Sequence, residues 1–399
     1  MNLKSVAEKI IFAGGRLYYV GGYVRDELMG IESKDIDFCV VGLTSENFKN
    51  MFPNAFIKGA FFPVFQLDNH DFAFARKETK VGPGHKNFTF ETENITIHDD
   101  LARRDFTINS IAKDVLTGEI IDPFNGQKDI ENKIIRATSS HFSEDPLRVY
   151  RGAQFATRFN FRIDNDTKKL MKSMESELYS LSSERVFTEL RKALNSDTPS
   201  TFFNLLRELD LLKVHFKEIE DLIDVPQPIK YHPEGDVYNH SMIALDLAAK
   251  LTTDEKIRFA SLTHDLGKAK TPKEILPHHY DHEKNGIAPL KELCKRLNVP
   301  NSWEKLAKVS VKEHMRAGLY NKMSIPKKVD FLERNEKYLY ELEIIATSDK
   351  GPRSNEKISF FEIGKRMLSA VNGKNIDLPN NESAKGILHQ KRIEWLKNI

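Results

Sequence analysis

Apolar and polar positions change rhythm along this 399-residue chain, dividing it into regions of different architecture. From residue 1 to about 138, short apolar runs alternate with short segments of helical spacing. Leu17-Tyr18-Tyr19-Val20 is a run of β-formers bounded by glycines and predicts a buried strand. Gly21-Gly22 lets the backbone turn sharply, and Tyr23 to Met29 predicts a short helix stopped by Gly30. Asp35-Ile36-Asp37-Phe38-Cys39-Val40-Val41 predicts a second strand, on which Asp35 and Asp37 share one face because side chains alternate. Phe65-Gln66-Leu67 and Asp71-Phe72-Ala73-Phe74-Ala75 predict a strand pair across the turn Asp68-Asn69-His70. Residues 76–98, with Gly82-Pro83-Gly84, predict a loop.

From about residue 139 the strand-like runs cease. Ser143 or Glu144 is expected to cap a helix with Pro146 in its first turn, where a missing N–H costs nothing. Helical spacing continues through residue 213, and Val225-Pro226-Gln227-Pro228 breaks it. The helices beyond carry His240, His264-Asp265, His282, His314 and Asp349. Gly351-Pro352-Arg353 and a polar tail containing Pro379-Asn380-Asn381-Glu382 follow. The expected fold class is α+β: a head (1–138) with a small mixed or antiparallel sheet, an all-α neck (139–224), an all-α domain (225–350) and a helical tail (351–399).

Composition narrows this picture only a little. Hydrophobic residues at 40% and charged residues at 30% are ordinary for a soluble globular protein. At roughly 150 residues per domain the length predicts two or three domains. No apolar run approaches the ~18 residues of a membrane span, and the N-terminus shows no signal-peptide core. The two cysteines, Cys39 and Cys294, are expected as buried thiols in a reducing, cytoplasmic setting. A net charge of +2 means that any grip on nucleic acid must come from local patches. Lys168, Lys169, Lys172, Arg185, Arg191 and Lys192 form one loose basic cluster, although a charge run of this kind is more often a solvated helix face.

The candidate chemistry lies in two sets of residues. Two carboxylates at the Asp35/Asp37 spacing can hold Mg²⁺. The Gly21-Gly22 turn opens a helix whose N–H groups and dipole suit phosphates, and Arg25 adds a cation. Asp71, at the end of a strand that could flank Asp35 and Asp37, is a candidate third carboxylate. Asp145, Arg148 and Arg151 stand three apart at a helix start and share one face. In the second set, the imidazoles and carboxylates of His240, His264, Asp265 and Asp349 suit Mn, Fe, Co, Ni or Zn. Each pattern alone also has a plain structural reading: a polar edge strand, a salt-bridge cluster, a capping Asp, a satisfied histidine.

Their order in one chain adds weight. Val20-Gly21-Gly22-x-Val24-Arg25-Asp26-x-Leu28-x-Gly30, then Asp35-x-Asp37, resembles the head motif of tRNA nucleotidyltransferases, the CCA-adding enzymes, in the class shared with bacterial poly(A) polymerases. The resemblance continues through Arg103-Arg104-Asp105, Glu144-Asp145-Pro146-Leu147-Arg148-Val149-Tyr150-Arg151 and a histidine–aspartate (HD) domain. It spans nearly the whole chain and is similar to the bacterial multifunctional CCA proteins, which join the transferase to an HD phosphohydrolase.

The resemblance implies template-free, two-metal addition of CCA to the tRNA 3′ end from CTP and ATP. Asp35 and Asp37 would hold Mg²⁺; Gly21, Gly22 and Arg25 would cradle the phosphates; Arg104 would contact the nucleotide, with Asp105 orienting the arginines. Asp145 and Arg148, with Arg151 and supported by Glu144, would choose the base. A carboxylate accepts and a guanidinium donates, matching the amine and ring nitrogen of C and A and not the carbonyl of G and U. The HD domain would use Ni²⁺, Mn²⁺ or Co²⁺ on His240, His264, Asp265 and Asp349. His282 and His314 stand where two-metal HD enzymes carry further ligands. The expected substrates of this domain are 2′,3′-cyclic phosphates and 2′-phosphates, in a monomer or homodimer with no membrane partner. The competing readings are a poly(A) polymerase, a CC-adding enzyme, and an HD nucleotide hydrolase with an inactive head. Tyr23 and Tyr150 depart from the family's small and aliphatic residues.

Overall fold

Arg16–Val20 forms strand β1, which pairs antiparallel with β2, Asp37–Val41. The last pair of this ladder is Val20↔Asp37, because Gly21, at φ 68°, turns the chain into the helix Gly22–Leu28. The strand therefore starts two residues later than expected, Asp35 lies ahead of it, and strand alternation does not align Asp35 with Asp37. β3 (Phe56–Lys58), β4 (Val64–Leu67) and β5 (His70–Phe74) extend the sheet. Asp68 and Asn69 both take positive φ between β4 and β5, as a two-residue hairpin requires. β2 and β5 run parallel, and this register sets Asp71 directly beside Asp37.

The computed structural model describes residues 2–33, 35–58, 64–80, 88–91, 95–351, 357–373, 375–376 and 383–399. Gly82-Pro83-Gly84, Pro352-Arg353 and the Pro379–Glu382 stretch lie outside them. The expected loop over 76–98 is corrected by β6 (Lys77–Lys80) and β7 (Phe88–Glu91), an antiparallel pair, and by the helix Ile97–Ala102. Lys-Glu-Thr-Lys has no apolar alternation to betray a strand; backbone pairing supplies what the pattern lacks.

β8 (Ala112–Asp114) and β9 (Ile120–Ile121) complete a seven-stranded mixed sheet of order β3-β4-β5-β2-β1-β8-β9. Phe38, Phe48, Phe65, Phe72 and Phe74 fill its core, with Phe38 stacked on Phe72 at 4.8 Å. Each buried ring contributes about 1.5–3 kcal/mol by leaving water, which fixes the sheet carrying Asp37. β10 (Ile134–Ile135) pairs parallel with β11 (Arg162–Ile163), so strands do not cease at 139. Two residues are too few to show a period.

Among the described residues the chain divides into two compact units, Met1–Leu181 and Ser182–Ile399. Helices continue past residue 213 as Leu212–His215 and Lys217–Glu220. In the second unit, Val237–Leu251, Glu255–Thr263, Asn301–Gly318 and Leu339–Asp349 pack together through Leu245, Phe259, Val311 and Ile345, all buried. A further apolar cluster, with Leu332, Phe360, Met367 and Ile393, joins the tail helices to the same unit. Among the described residues no helix is long and apolar enough to cross a membrane. Cys39 and Cys294 are free and buried, and burial pushes both thiols up.

Candidate active site and candidate metal centre

In the first unit, β1 delivers Gly21 to the edge of a cleft of about 250 Å³ lined by Gly22, Arg25, Asp26, Asp35, Asp37 and Arg158. A Cβ on Gly21 would stand 3.0 Å from Arg104 Nη1 and 3.9 Å from Asp37 Oδ2. Bare backbone thus separates a cation from a carboxylate. Burial pushes the Asp37 carboxyl up; Arg104 opposes the rise, and Asp71 and Asp35 add to it. Asp71 accepts from Lys58 Nζ at 3.2 Å and Gln66 Nε2 at 3.1 Å. Among the described residues, the four groups of three or more ligand-type side chains within 4.8 Å of one another all lie in the second unit. The carboxylate end of this sheet is therefore open, not a closed cage.

The arginines, by contrast, are firmly held. Arg25 donates from Nε (2.8 Å) and Nη2 (2.6 Å) to Asp26 Oδ1, and from Nη1 to Asn109 Oδ1 at 2.6 Å. Its guanidinium also lies 4.7 Å from the Phe159 ring centre. Burial pulls its pKa down, against the pull of Asp26. Arg104 donates from Nε (3.1 Å) and Nη2 (2.9 Å) to Asp100 Oδ2, and Arg103 pairs with Asp100 Oδ1. Burial raises the Asp100 carboxyl, but Arg104 and Arg103 outweigh it and hold it below its ordinary value.

Asp100 is thus the residue that orients Arg103 and Arg104, not Asp105 as expected. Its signal was present in the i,i+3 and i,i+4 spacing to the two arginines. Asp105 instead accepts from Arg151 Nε (2.8 Å) and Nη2 (2.6 Å) and from Asn109 Nδ2 (3.0 Å). Burial raises Asp105 as well; Arg151 and the Asn109 hydrogen bond carry it below its ordinary value. Asn109 therefore bridges Arg25 to Asp105, and nothing in its sequence context pointed to it.

The helix Leu147–Phe159 starts later than expected. Ser140–Glu144 is a 3₁₀ turn, Pro146 stands at the cap, and Asp145 Oδ1 accepts from the Leu147 N–H at 3.0 Å. Arg148 donates from Nη1 to the His141 carbonyl at 2.7 Å and from Nη2 to the Arg103 carbonyl at 2.6 Å. Glu144 Oε1 lies 2.8 Å from His141 Nδ1, so it supports Arg148 through the His141 backbone.

The second unit brings its predicted ligands together. His240 Nε2 lies 2.9 Å from Asp349 Oδ1, and His264 Nε2 lies 3.3 Å from the same oxygen and 3.2 Å from Asp265 Oδ2. The other Asp265 oxygen faces His282 Nε2 at 3.5 Å and His314 Nε2 at 3.4 Å. One carboxylate therefore spans two clusters. Nδ1 of His264 donates to the Ser261 carbonyl, that of His282 to the His279 carbonyl, and that of His314 to the Ser310 and Val311 carbonyls. Each such bond puts a proton on Nδ1 and turns Nε2 inward, where it offers a lone pair to a metal or carries a second proton without one.

The lone pairs of His282 and His314 consequently meet at 3.2 Å, which requires a cation or a proton between them. His264 Nε2 and both Asp265 oxygens are buried without a hydrogen-bond partner. Lys268 Nζ reaches Asp265 Oδ2 at 2.6 Å as an ion pair, off hydrogen-bond geometry, and donates to Gln227 Oε1 at 2.8 Å. Burial would lower His264, but Asp265 and Asp349 outweigh it and push it up to about 10. Asp265 and Asp349 are held well below the carboxylate range by the facing cations, against burial. The field of this cage draws positive charge, and its donor set fits a divalent transition metal.

Glu234 is the residue that sequence reasoning missed here. Its Oε1 accepts from His240 Nδ1 at 2.8 Å and lies 3.1 Å from His232 Nδ1, orienting His240 toward Asp349. The loose basic cluster, in turn, falls in both units and is largely ion-paired. Lys169 meets Asp166 at 2.9 Å, Lys172 meets Glu175 at 2.8 Å, Arg191 meets Glu255 at 2.7 Å and Lys192 meets Glu189 at 2.8 Å.

A glycine turn between a strand and a helix, with arginines beside strand-end carboxylates, and a helical His/Asp cage together define a nucleotidyltransferase joined to an HD metal domain. The Poly A polymerase head domain family matches residues 17–136. A family described as the probable RNA and SrmB-binding site of polymerase A matches 160–223, and the HD domain matches 237–350. The chain belongs to the multifunctional CCA protein family. It is 43% identical over 307 residues to the Multifunctional CCA protein of Thioalkalivibrio sulfidiphilus (strain HL-EbGR7), covering 75% of this chain and 74% of that one. It is 44% identical over 318 residues to that of Haemophilus influenzae (strain PittGG), covering 75% and 74%. Among solved structures, the Thermotoga maritima CCA-adding enzyme complexed with tRNA is similar in fold, with TM-score 0.68 and 22% identity over 100% of this chain and 91% of that one. Both domain types imply use of a divalent metal.

Proposed function

We propose that the first unit completes the 3′-terminal CCA of tRNA from CTP and ATP without a nucleic-acid template. The supporting observation is the Gly21 backbone set between Arg104 and Asp37, a space that no side chain fills. An anion-binding cation on one side and a metal-binding carboxylate on the other suit a triphosphate with its counter-ion. Asp37 and Asp35, with Asp71 beside Asp37, would hold Mg²⁺; bound there, Mg²⁺ supplies a Lewis acid for the attacking hydroxyl and the departing pyrophosphate. Arg104, locked by Asp100, orients the phosphates. Arg25 ties the glycine turn to Asn109 and lines the cleft.

Asp145 and Arg148 select the base. Asp145 is held by the first amide of its helix, and Arg148 by two backbone carbonyls. A selector that is rigid before the base arrives is what template-free discrimination needs. Incubating the full chain with Mg²⁺ and tRNA lacking its 3′ end, with each NTP singly and in combination, tests the reading. CTP plus ATP should extend the tRNA by three residues, and GTP or UTP by none. Long extension with ATP alone would make the protein a poly(A) polymerase, and no extension would leave the head inactive.

The second unit is read as a phosphohydrolase, with 2′,3′-cyclic phosphates and 2′-phosphates at RNA ends as substrates. The inward Nε2 atoms and the unpartnered Asp265 oxygens support it. His240, His264, Asp265 and Asp349 would hold one metal, and Asp265, His282 and His314 a second. Ni²⁺, Mn²⁺ or Co²⁺ bound there would supply an activated water. Lys268 stands beside Asp265 as a cation for the phosphate.

A further inference from the structure

The predicted basic cluster is largely ion-paired with its own neighbours, yet a different basic surface exists in the second unit. A cavity of about 560 Å³ opens where the helix Asn301–Gly318 ends, beside the 3₁₀ turn Tyr320–Lys322 and the helix Ile325–Arg334. Arg316, Lys322, Lys327 and Arg334 line it, all exposed, over a floor that includes Leu319 and Phe331.

The acids close to these cations do not balance them. Arg316 and Arg334 share one carboxylate, Glu313, at 3.5 and 3.7 Å, and Glu313 Oε2 is buried without a hydrogen bond. Asp330 stands in the wall but lies near His389 at 3.8 Å. Lys322 and Lys327 form no ion pair among the described residues.

Placement also departs from what folding alone favours. Arg316 and Arg334 occupy last turns, where the helix dipole attracts cations. Lys327 occupies the first turn of its helix, which carries no acid, and there the dipole disfavours a cation. A phosphate at that position would satisfy the lysine and the helix end together. A single phosphate engages one or two of these four cations, whereas a run of phosphates engages all of them. The surface also adjoins the HD centre in sequence: Met315, next to Arg316, lines the smaller cavity that contains His282 and Lys268.

We propose that this groove binds the phosphate backbone of RNA, and that it is a tRNA-holding surface of the second unit. The inference rests on the tRNA reading given above. It is tested in the full chain with Lys322→Glu/Lys327→Glu, residues outside both metal and nucleotide sites, and with Lys322→Gln/Lys327→Gln as a milder pair. The probe is tRNA lacking its CCA end, with binding measured between 50 and 200 mM KCl and KM determined for tRNA and for CTP.

Charge reversal should weaken tRNA binding about tenfold or more and reduce the log–log salt slope by about two, with KM for CTP unchanged. The glutamine pair should show a smaller loss in the same direction. Wild-type tRNA affinity and salt slope in either pair, with native circular dichroism, would overturn the proposal. Because binding is read apart from catalysis, a wild-type chain that binds tRNA but adds nothing would refute the transferase reading alone. Absence of wild-type tRNA binding would refute both.

Discussion

The two sites treat charge in opposite ways. In the first unit the cations are saturated and rigid: Arg104 on Asp100, Arg25 on Asp26 and Asn109, Arg151 on Asp105. The metal-type carboxylates Asp35, Asp37 and Asp71 form no cage within 4.8 Å. In the second unit the ligands are already convergent and buried, with lone pairs facing one another. An open carboxylate end suits a metal that arrives with its triphosphate and leaves with pyrophosphate. A closed cage of nitrogen and oxygen donors suits a resident metal. The contrast is one of order: the first site's carboxylates stand open, while the fold itself gathers the second site's ligands.

The largest effect should come from separating the sites outright. If Asp37 holds the metal as proposed, Asp37→Ala should reduce nucleotide addition by at least about a thousandfold. Phosphoester hydrolysis by the same preparation should stay within twofold of wild type. Parallel loss of both activities would break the contrast. The reciprocal variant, His264→Ala with Asp265→Ala, should abolish hydrolysis with Ni²⁺, Mn²⁺ and Co²⁺ and lower bound metal to background by elemental analysis, with CCA addition retained.

A smaller effect is expected from the residues that hold the ligands. Glu234→Ala should weaken metal affinity about 10- to 100-fold, measured by competition with a chelating dye, because His240 loses the carboxylate that fixes its ring. Unchanged affinity would make Glu234 a structural partner only. In the first unit, Asp145→Ala should raise incorporation of G or U relative to C in single-nucleotide assays. A constant ratio with uniformly lower activity would reduce Asp145 to the helix cap it also forms.

The smallest effect concerns acid. His215 is buried in the second unit, and burial beside Arg296 lowers its pKa from 6.5 to about 4. The unfolded chain then binds the proton more readily than the folded one. The stability this group confers is therefore complete above 6.5 and drains away as pH falls toward 4. Between pH 7 and 5 the loss from this group should be about 1–2 kcal/mol, read as a shift in urea midpoint that His215→Gln reduces. In the first unit the depressed carboxylates Asp100 and Asp105 contribute above their ordinary 3.8 and fail only below it. Mild acid should thus loosen the second unit first. A midpoint shift as large in His215→Gln as in the wild type would contradict this.

Local rules reached far into this chain, and their failures have causes. Leu17–Val20 and Phe72–Phe74 were legible because β-forming apolar runs have few alternatives. Lys77–Lys80 was not, because its strand rests on pairing with Phe88–Glu91 and not on an apolar face. Asp35 was assigned to a strand by its distance from Asp37, while the ladder ends at Val20↔Asp37 where β1 stops. The end of a strand is decided by its partner.

The site divides along the same line. The candidate residue types, and their order along the chain, were readable from Gly21-Gly22, Asp35-x-Asp37, Arg103-Arg104-Asp105 and His264-Asp265. What holds each one was not. Asp100 under Arg104 had a local i,i+4 signal, but Asn109 between Arg25 and Asp105, Arg151 on Asp105, and Asp349 beside His240 are contacts made by folding. Sequence by itself determined which ligands and charges exist and the periodicity that carries them, because these follow from side-chain chemistry and local backbone preference. Tertiary structure alone decided which carboxylate meets which cation and which cations stay unpaired, because that depends on distances across elements far apart in the chain.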